Sequence, residues 1–213
     1  MLETINLTHT YYFRGEANTP LHSFSKQFEM GIFSVITGES GCGKTTLLNS
    51  LAGLLAPTEG NILLDGDDLY KMNGEKLAAL RRSRISVVPQ CHSLLPGLTV
   101  YENILFYASL SGILASQAAS DALKLLEIAQ LTRQKDMRQE DLSGGEQRRV
   151  SILRSLIIKP DYVIADEPTS NLDHKNREII LKLLRKSADE GTGIILASHE
   201  SDSLHYADQE IQI

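Results

Sequence analysis

The densest chemistry in the sequence lies in Gly38-Glu-Ser40-Gly41-Cys42-Gly43-Lys44-Thr45-Thr46, which fits GxxxxGK[ST] between an apolar run and the helical run Leu47 to Leu51. Glycines at these positions let successive backbone N–H groups converge on a phosphate, and the helix that follows adds its positive end. Lys44 is placed to pair with β and γ phosphates, and Thr45 to ligate Mg²⁺. The competing reading, a glycine-rich turn that merely opens a helix, does not account for the lysine and the two threonines together. A second candidate is Tyr162-Val-Ile-Ala-Asp166-Glu167-Pro168, where an apolar strand ends in two carboxylates. Open α/β sheets bind ligands at such strand ends, and adjacent strand residues point to opposite sides, so Asp166 suits a Mg²⁺ shell and Glu167 a water-activating base. Without the phosphate loop, these carboxylates would read as an ordinary solvated loop start. Leu142-Ser143-Gly144-Gly145-Glu146-Gln147 is a third candidate, a small-residue turn at a helix start and so a second anion site, or else a plain Ser143 cap with Gln147 closing a capping box. One nucleotide needs only one phosphate loop. A second anion site therefore suggests that two copies complete each other's pocket.

The elements that must hold these groups follow from hydrophobic patterning. Alternation near Leu2 to Leu7, Leu21 to Phe28 and Asn61 to Leu64 predicts antiparallel strands with one open face. Phe33 to Thr37, Ile85 to Val88, Tyr162 to Ala165 and Gly193 to Ala197 are nearly continuous apolar runs, as in parallel strands covered on both faces. Between Gln90 and Pro160 the period becomes helical, with Ala122, Leu125, Leu126 and Ala129 on one stripe and a second helix from Gly145 to Lys159. Another helix is expected after Asp173, ending near Gly191.

In order and spacing, these motifs make the chain resemble the ATP-binding cassette subunit of ABC transporters over nearly its whole length. That resemblance implies an α/β fold: a P-loop NTPase core with a mixed sheet, an N-terminal antiparallel β subdomain and an inserted helical subdomain. As one domain over 1–213, the core would comprise 1–90 and 161–213, and the helical part with the signature 91–160. Gly38 to Thr46 is similar to the Walker A loop, and Asp166 with Glu167 to the Walker B pair. Gln90 resembles the Q-loop glutamine that touches Mg²⁺ or the attacking water, and His199 the switch histidine near the γ phosphate. Ser143, Gly144 and Gly145 match the signature that contacts the opposite subunit's ATP, and Ser170 to Asp173 the D-loop. Tyr11 is similar to the aromatic that stacks on adenine, with the register among Tyr11, Tyr12 and Phe13 left open. The implied ligands are ATP and Mg²⁺. The implied partners are a second cassette, alike or different, and a transmembrane permease that places the chain peripherally on the cytoplasmic side of the inner membrane. Ala165 to Asp173 and Leu94 to Asn103 are similar to the lipoprotein-release, macrolide-export and cell-division branch. Glu146 stands where Gln is commoner, and the end at Ile213 lacks the second strand of the usual closing hairpin, so the sheet edge is expected to be incomplete or covered.

Composition narrows the classes. The 213 residues carry 21 Lys and Arg against 27 Asp and Glu, a formal charge of -6, so no global field favours a nucleic-acid backbone. Two cysteines, Cys42 and Cys91, exclude a disulfide framework; both are expected near the nucleotide, Cys42 at a helix start that favours a thiolate. His199-Glu200 is no zinc motif, because Ser203 occupies the second histidine position of HExxH. No apolar run has the length of a signal peptide or a membrane span. Besides a transport motor, a soluble ABC ATPase and a nucleotide-gated interaction module remain open. A nucleotide kinase would leave Ser143 to Gly145 and His199 without a task.

Overall fold

The computed structural model describes residues 1–90 and 94–213; Cys91, expected beside the nucleotide, lies outside the described residues. In chain order the elements are β1 (Leu2–Phe13), β2 (Glu16–Phe28), β3 (Phe33–Thr37), α1 (Lys44–Leu51), β4 (Glu59–Leu64), β5 (Asp67–Asp68), α2 (Gly74–Ser83) and β6 (Ile85–Val88). Then follow α3 (Val100–Leu110), α4 (Ala115–Ile128), α5 (Gly144–Leu156), β7 (Tyr162–Asp166), α6 (His174–Asp189), β8 (Gly193–Ala197), α7 (Ser201–Leu204) and β9 (Gln209–Gln212).

The strands form two sheets. An antiparallel sheet runs in the order β2-β1-β4-β5, and a parallel sheet in the order β6-β7-β8-β3-β9. The four apolar runs are β6, β7, β8 and β3 of the parallel sheet; the three inner ones, β7, β8 and β3, are almost wholly buried because helices cover both faces. The sequence pattern places the first two antiparallel strands but underestimates them. They extend to a hairpin from Leu2 to Phe28, closed by Arg14 and Gly15, both at positive φ. A two-residue turn of that hand matches the right-handed twist of the strands and prolongs the pairing. Pro20 is tolerated because β2 is an edge strand. The chain's last strand, β9, pairs in parallel with β3 and forms that edge of the sheet.

Among the described residues there are three apolar cores. One lies between the sheets and α1, where Leu47, Leu48 and Leu51 are buried; burial of each such side chain contributes roughly 1.5–3 kcal/mol. A second joins α3, α4 and α5 to Ile179 and Leu183 of α6, and a third packs α5 and α6 on the parallel sheet. α5 serves both of the last two: Val150, Leu153 and Ile157 enter the helical cluster, whereas Ile152 and Leu156 meet the sheet.

The two sheets are tied at Tyr162. Its ring is fully buried at the start of β7, its hydroxyl accepts from the Leu2 N–H at 3.0 Å and donates to the Phe28 carbonyl at 3.0 Å, and burial pushes the phenol's pKa up. Arg84 reinforces the seam through Asp65 and Asp161. Tyr162→Phe strips two buried backbone groups of their partner, so we expect a loss of roughly 2 kcal/mol, or about 4–8 °C in Tm, with nucleotide affinity unchanged. Calorimetric melting and a binding titration on the same sample check both halves.

Candidate functional site

Parallel pairing sends the C-terminal ends of β3, β6, β7 and β8 to one side of the sheet. From those ends come the loop 38–43, Gln90, Asp166 with Glu167, and His199. Gln90, Asp166, Glu167, His199 and, of the loop, Gly38, Ser40, Gly41 and Gly43 line one cleft of about 670 Å³, together with Tyr11, Asn18, Pro20, Lys44, Thr45 and Thr46. Most of the residues read from the sequence as phosphate- or metal-directed therefore converge.

The loop is shaped by backbone that only glycine adopts without strain. Gly38, Gly41 and Gly43 have φ of 154°, 86° and 109°, and a Cβ on Gly43 would lie 2.8 Å from the Pro20 carbonyl oxygen. Lys44 Nζ donates to the carbonyls of Gly38 and Glu39, each at 2.8 Å, so the ammonium is folded back over the loop rather than left in solvent. Cys42 Sγ is 3.8 Å from the same Nζ, inside the loop but not among the residues that line the cleft. The arrangement fits a polyphosphate: a lysine ammonium over a glycine-rich loop that leads into a helix N-terminus.

Across the cleft, the Thr45 hydroxyl donates to Asp166 Oδ2 at 2.8 Å. Burial raises the Asp166 pKa above the ordinary carboxylate value; Thr45 opposes this and the Glu167 charge adds to it. A hydroxyl and a half-buried carboxylate are hard oxygen donors of the kind Mg²⁺ takes alongside phosphate and water. Among the described residues no group of three or more His, Cys, Asp and Glu could hold a metal by itself. The Glu167 carboxylate stands between Gln90 Nε2 at 3.4 Å and His199 Nδ1 at 3.1 Å. Glu167 itself adopts φ 45°, a left-handed backbone costly for a residue with a Cβ and worth noting at a site of chemistry.

Tyr11 is the aromatic of its triplet that lines the cleft, with its hydroxyl 3.1 Å from Thr46 Oγ1 and its ring edge-on to His9. Asn18 and Pro20 were not legible as site residues. The hairpin register that pairs Tyr11 with Asn18 brings them there, and a longer second strand read through Pro20 would have found them.

Ser143, Gly144, Gly145 and Asp173 do not line this cleft. Ser143 caps α5 in a capping box, but its partner is Glu146 and not Gln147. The Glu146 carboxylate takes the Ser143 hydroxyl at 2.7 Å and its N–H at 2.8 Å; although burial pushes its pKa up, these bonds hold it below the ordinary range. Gln147 is one position too far along and instead donates to the carbonyls of Gln139 and Leu142. Asp173 caps α6 through Asn176, whose side chain lies against Gly145 so closely that a Cβ there would meet it at 2.7 Å. The signature turn and the loop before α6 thus form one surface, separate from the phosphate cleft.

Comparison with known proteins accords with this geometry. The sequence profile described as ABC transporter matches residues 21–170. An uncharacterized ABC transporter ATP-binding protein of Mycobacterium tuberculosis is 36% identical over 98% of this chain, which spans 63% of that relative's length. The lipoprotein-releasing system ATP-binding protein LolD of Buchnera aphidicola subsp. Schizaphis graminum is 37% identical, over 94% of this chain and 88% of its own. Among solved structures, the dimeric post-hydrolysis state of the ATP-binding cassette MJ0796 bound to ADP and Pi superposes with a TM-score of 0.92 at 32% identity, covering 100% of this chain and 94% of that one. With a profile matched over most of its length and a relative 37% identical over 94% of it, the chain belongs to the ABC transporter family, as an ATP-binding cassette.

Proposed function

We propose that this chain binds and hydrolyses ATP, and that closure of two cassettes over the nucleotide drives a separate membrane permease. The observation that carries the reading is the separation of the two anion-binding surfaces. Lys44, Thr45, Asp166, Gln90, Glu167 and His199 share a cleft, whereas Ser143 to Gly145 lie outside it. A head-to-tail pair would set the Ser143 turn of each chain over the cleft of the other. The dimeric MJ0796 cassette, bound to ADP and Pi, supports this arrangement.

Within each cleft the loop amides and Lys44 bind the β and γ phosphates, and Lys44 exchanges its carbonyl partners for phosphate oxygens. Tyr11 offers its ring to the adenine, flanked by Asn18. Thr45, Asp166 and Gln90 would hold Mg²⁺, which when bound supplies charge neutralisation at the β and γ phosphates. Glu167 accepts a hydrogen bond from the attacking water and takes its proton, and Gln90 and His199 fix the carboxylate's direction. His199 also presents its ring toward the γ phosphate. Ser143 donates its hydroxyl to the partner's γ phosphate, for which it must leave Glu146. Loss of that phosphate removes the anion common to both chains, and the pair reopens.

The permease reading is supported by family membership and by exposed Phe106, Leu110 and Leu114 on the helical lobe, apolar positions suited to a membrane partner's loops. No helix among the described residues is long and apolar enough to cross a membrane, so any span belongs to the partner in this reading. The chain would then sit on the cytoplasmic face of the inner membrane, in the lipoprotein-release and macrolide-export branch.

Glu167→Gln is expected to keep ATP affinity, to lower turnover by about 10²-fold or more, and to form a stable dimer with ATP and magnesium. Light scattering and a phosphate-release assay check it; a variant that stays monomeric, or turns over at the parental rate, would contradict the proposal. Slow parental turnover that no permease raises would favour the interaction-module alternative. Lys44→Ala should weaken nucleotide binding by roughly 10- to 100-fold in calorimetry, the worth of hydrogen bonds to a charged group. Asp166→Asn should raise the Tm of the nucleotide-free protein at neutral pH. The raised native pKa means that ionised Asp166 opposes folding, so the gain should shrink as pH falls below that raised pKa and vanish below the ordinary carboxylate value of 3.8, where the parental carboxyl is neutral in both the folded and the unfolded chain. The same variant should lose the additional stabilisation that magnesium gives with ATP, measured by melting with and without the metal.

A further inference from the structure

Arg148 is the largest fully buried side chain among the described residues, at 2% exposure. It lies on α5, five residues after Ser143 and thus about 7.5 Å along the axis from that helix end. A buried guanidinium is costly unless its N–H groups are satisfied. Here it donates to backbone carbonyls at the ends of β7 and its neighbour β6: Nη2 to Glu167 at 2.6 Å and to Asp166 at 3.5 Å, Nε to Pro168 at 2.8 Å, and Nη1 to Pro89 at 2.6 Å. Pro89 immediately precedes Gln90. The Glu167 carbonyl also receives the Ser170 hydroxyl at 3.0 Å and the Ser170 N–H at 3.2 Å.

These bonds converge where the backbone is least comfortable. Glu167 sits at φ 45°, and such a conformation persists when its surroundings over-determine it. On one side the Glu167 N–H donates to the Ala197 carbonyl of β8 at 3.0 Å; on the other, Arg148 and Ser170 hold its carbonyl. The guanidinium's charge also favours the ionised form of Asp166. Its planar fork is what reaches β6's end and the Glu167 segment together, and a lysine ammonium has no such fork.

We propose that Arg148 is a positioning residue: a buried fork that fixes the backbone of Glu167 and the end of β6 to the helix capped by Ser143, so that placement of this helix sets the catalytic carboxylate. It deepens the ATPase reading and rests on it for the role of Glu167. In that reading, capture of the partner's nucleotide at Ser143 moves one rigid helix turn and a half away from Arg148, and the shift reaches Glu167 without passing through the ligand.

The test uses Arg148→Lys in the full chain. Turnover should fall by about 10- to 100-fold, the usual effect of a misplaced catalytic group, while KM for ATP stays within about threefold of the parent, because these hydrogen bonds of Arg148 go to Pro89, Asp166, Glu167 and Pro168 rather than to the loop 38–43, Lys44 or Tyr11. Without nucleotide, amide hydrogen exchange should accelerate in the segments 86–90 and 166–172 and stay parental elsewhere. Parental turnover with parental exchange would overturn the proposal, as would faster exchange throughout the chain with KM rising as turnover falls, which marks a merely structural arginine. If Arg148→Lys does not fold, Ser170→Ala removes one donor from the same carbonyl without disturbing a buried charge. It should lower turnover by about two- to fivefold at unchanged KM with faster exchange in 166–172, and parental values of both would overturn the proposal. Exchange requires no turnover, so an inactive parent would sink the assignment of Glu167 while the exchange result still judges Arg148.

Discussion

Parallel strand pairing is the constraint on which the site depends. Four strands, β6, β7, β8 and β3, lie side by side in one direction, so their ends must open on one edge of the sheet. Each contributes one component there: Gln90, the two carboxylates, His199, and the phosphate loop. Because the strands are buried on both faces, a slip in register would set every side chain against the wrong neighbours in the close-packed layers of helices above and below. The Thr45–Asp166 hydrogen bond then joins the loop to β7 across the intervening β8. The cleft is in this sense a by-product of sheet order, refined by a few polar contacts.

Electrostatically the cleft is arranged for an anion it can hold only with help. Lys44 is parked on loop carbonyls, and Asp166 and Glu167 are adjacent carboxylates, one of them resisting ionisation because of burial. Polyphosphate alone would meet that negative pair; a divalent cation between them removes the conflict. The Ser143 turn shows the same logic from the other side. Its hydroxyl is already committed to Glu146, so any phosphate it meets must compete with a carboxylate, which favours brief engagement over permanent capture.

Much of this was legible in the sequence because the relevant groups are local. Gly38 to Thr46 is contiguous, Asp166 and Glu167 end an apolar run, and Asp173 stands directly before a periodic helix. Less legible were features created by long-range register. Asn18 and Pro20 reach the cleft only because the hairpin is longer than its alternation suggests, and Tyr11 separates from Tyr12 by strand facing and from Phe13 by that residue's place at the hairpin tip. The partner of Ser143 is Glu146 because the box requires the third helical residue, a one-position distinction that a scan for Glu or Gln blurs. Arg148 was hidden for a different reason. Nothing in an arginine on a polar-looking helix start announces that its neighbours in space are carbonyls from two other strands.

The seam at Tyr162 carries a mechanical implication for base recognition. From Leu2, held by that phenol, to Tyr11 the strand covers about 30 Å, so the hairpin works as a cantilever. A tilt of only about 2° between the sheets would swing the Tyr11 ring by roughly 1 Å, a shift that would weaken the adenine stacking proposed for it. The close approach of the Pro20 carbonyl to Gly43 acts as a prop near the free end, which leaves the base platform far stiffer than a lone two-stranded ribbon could be.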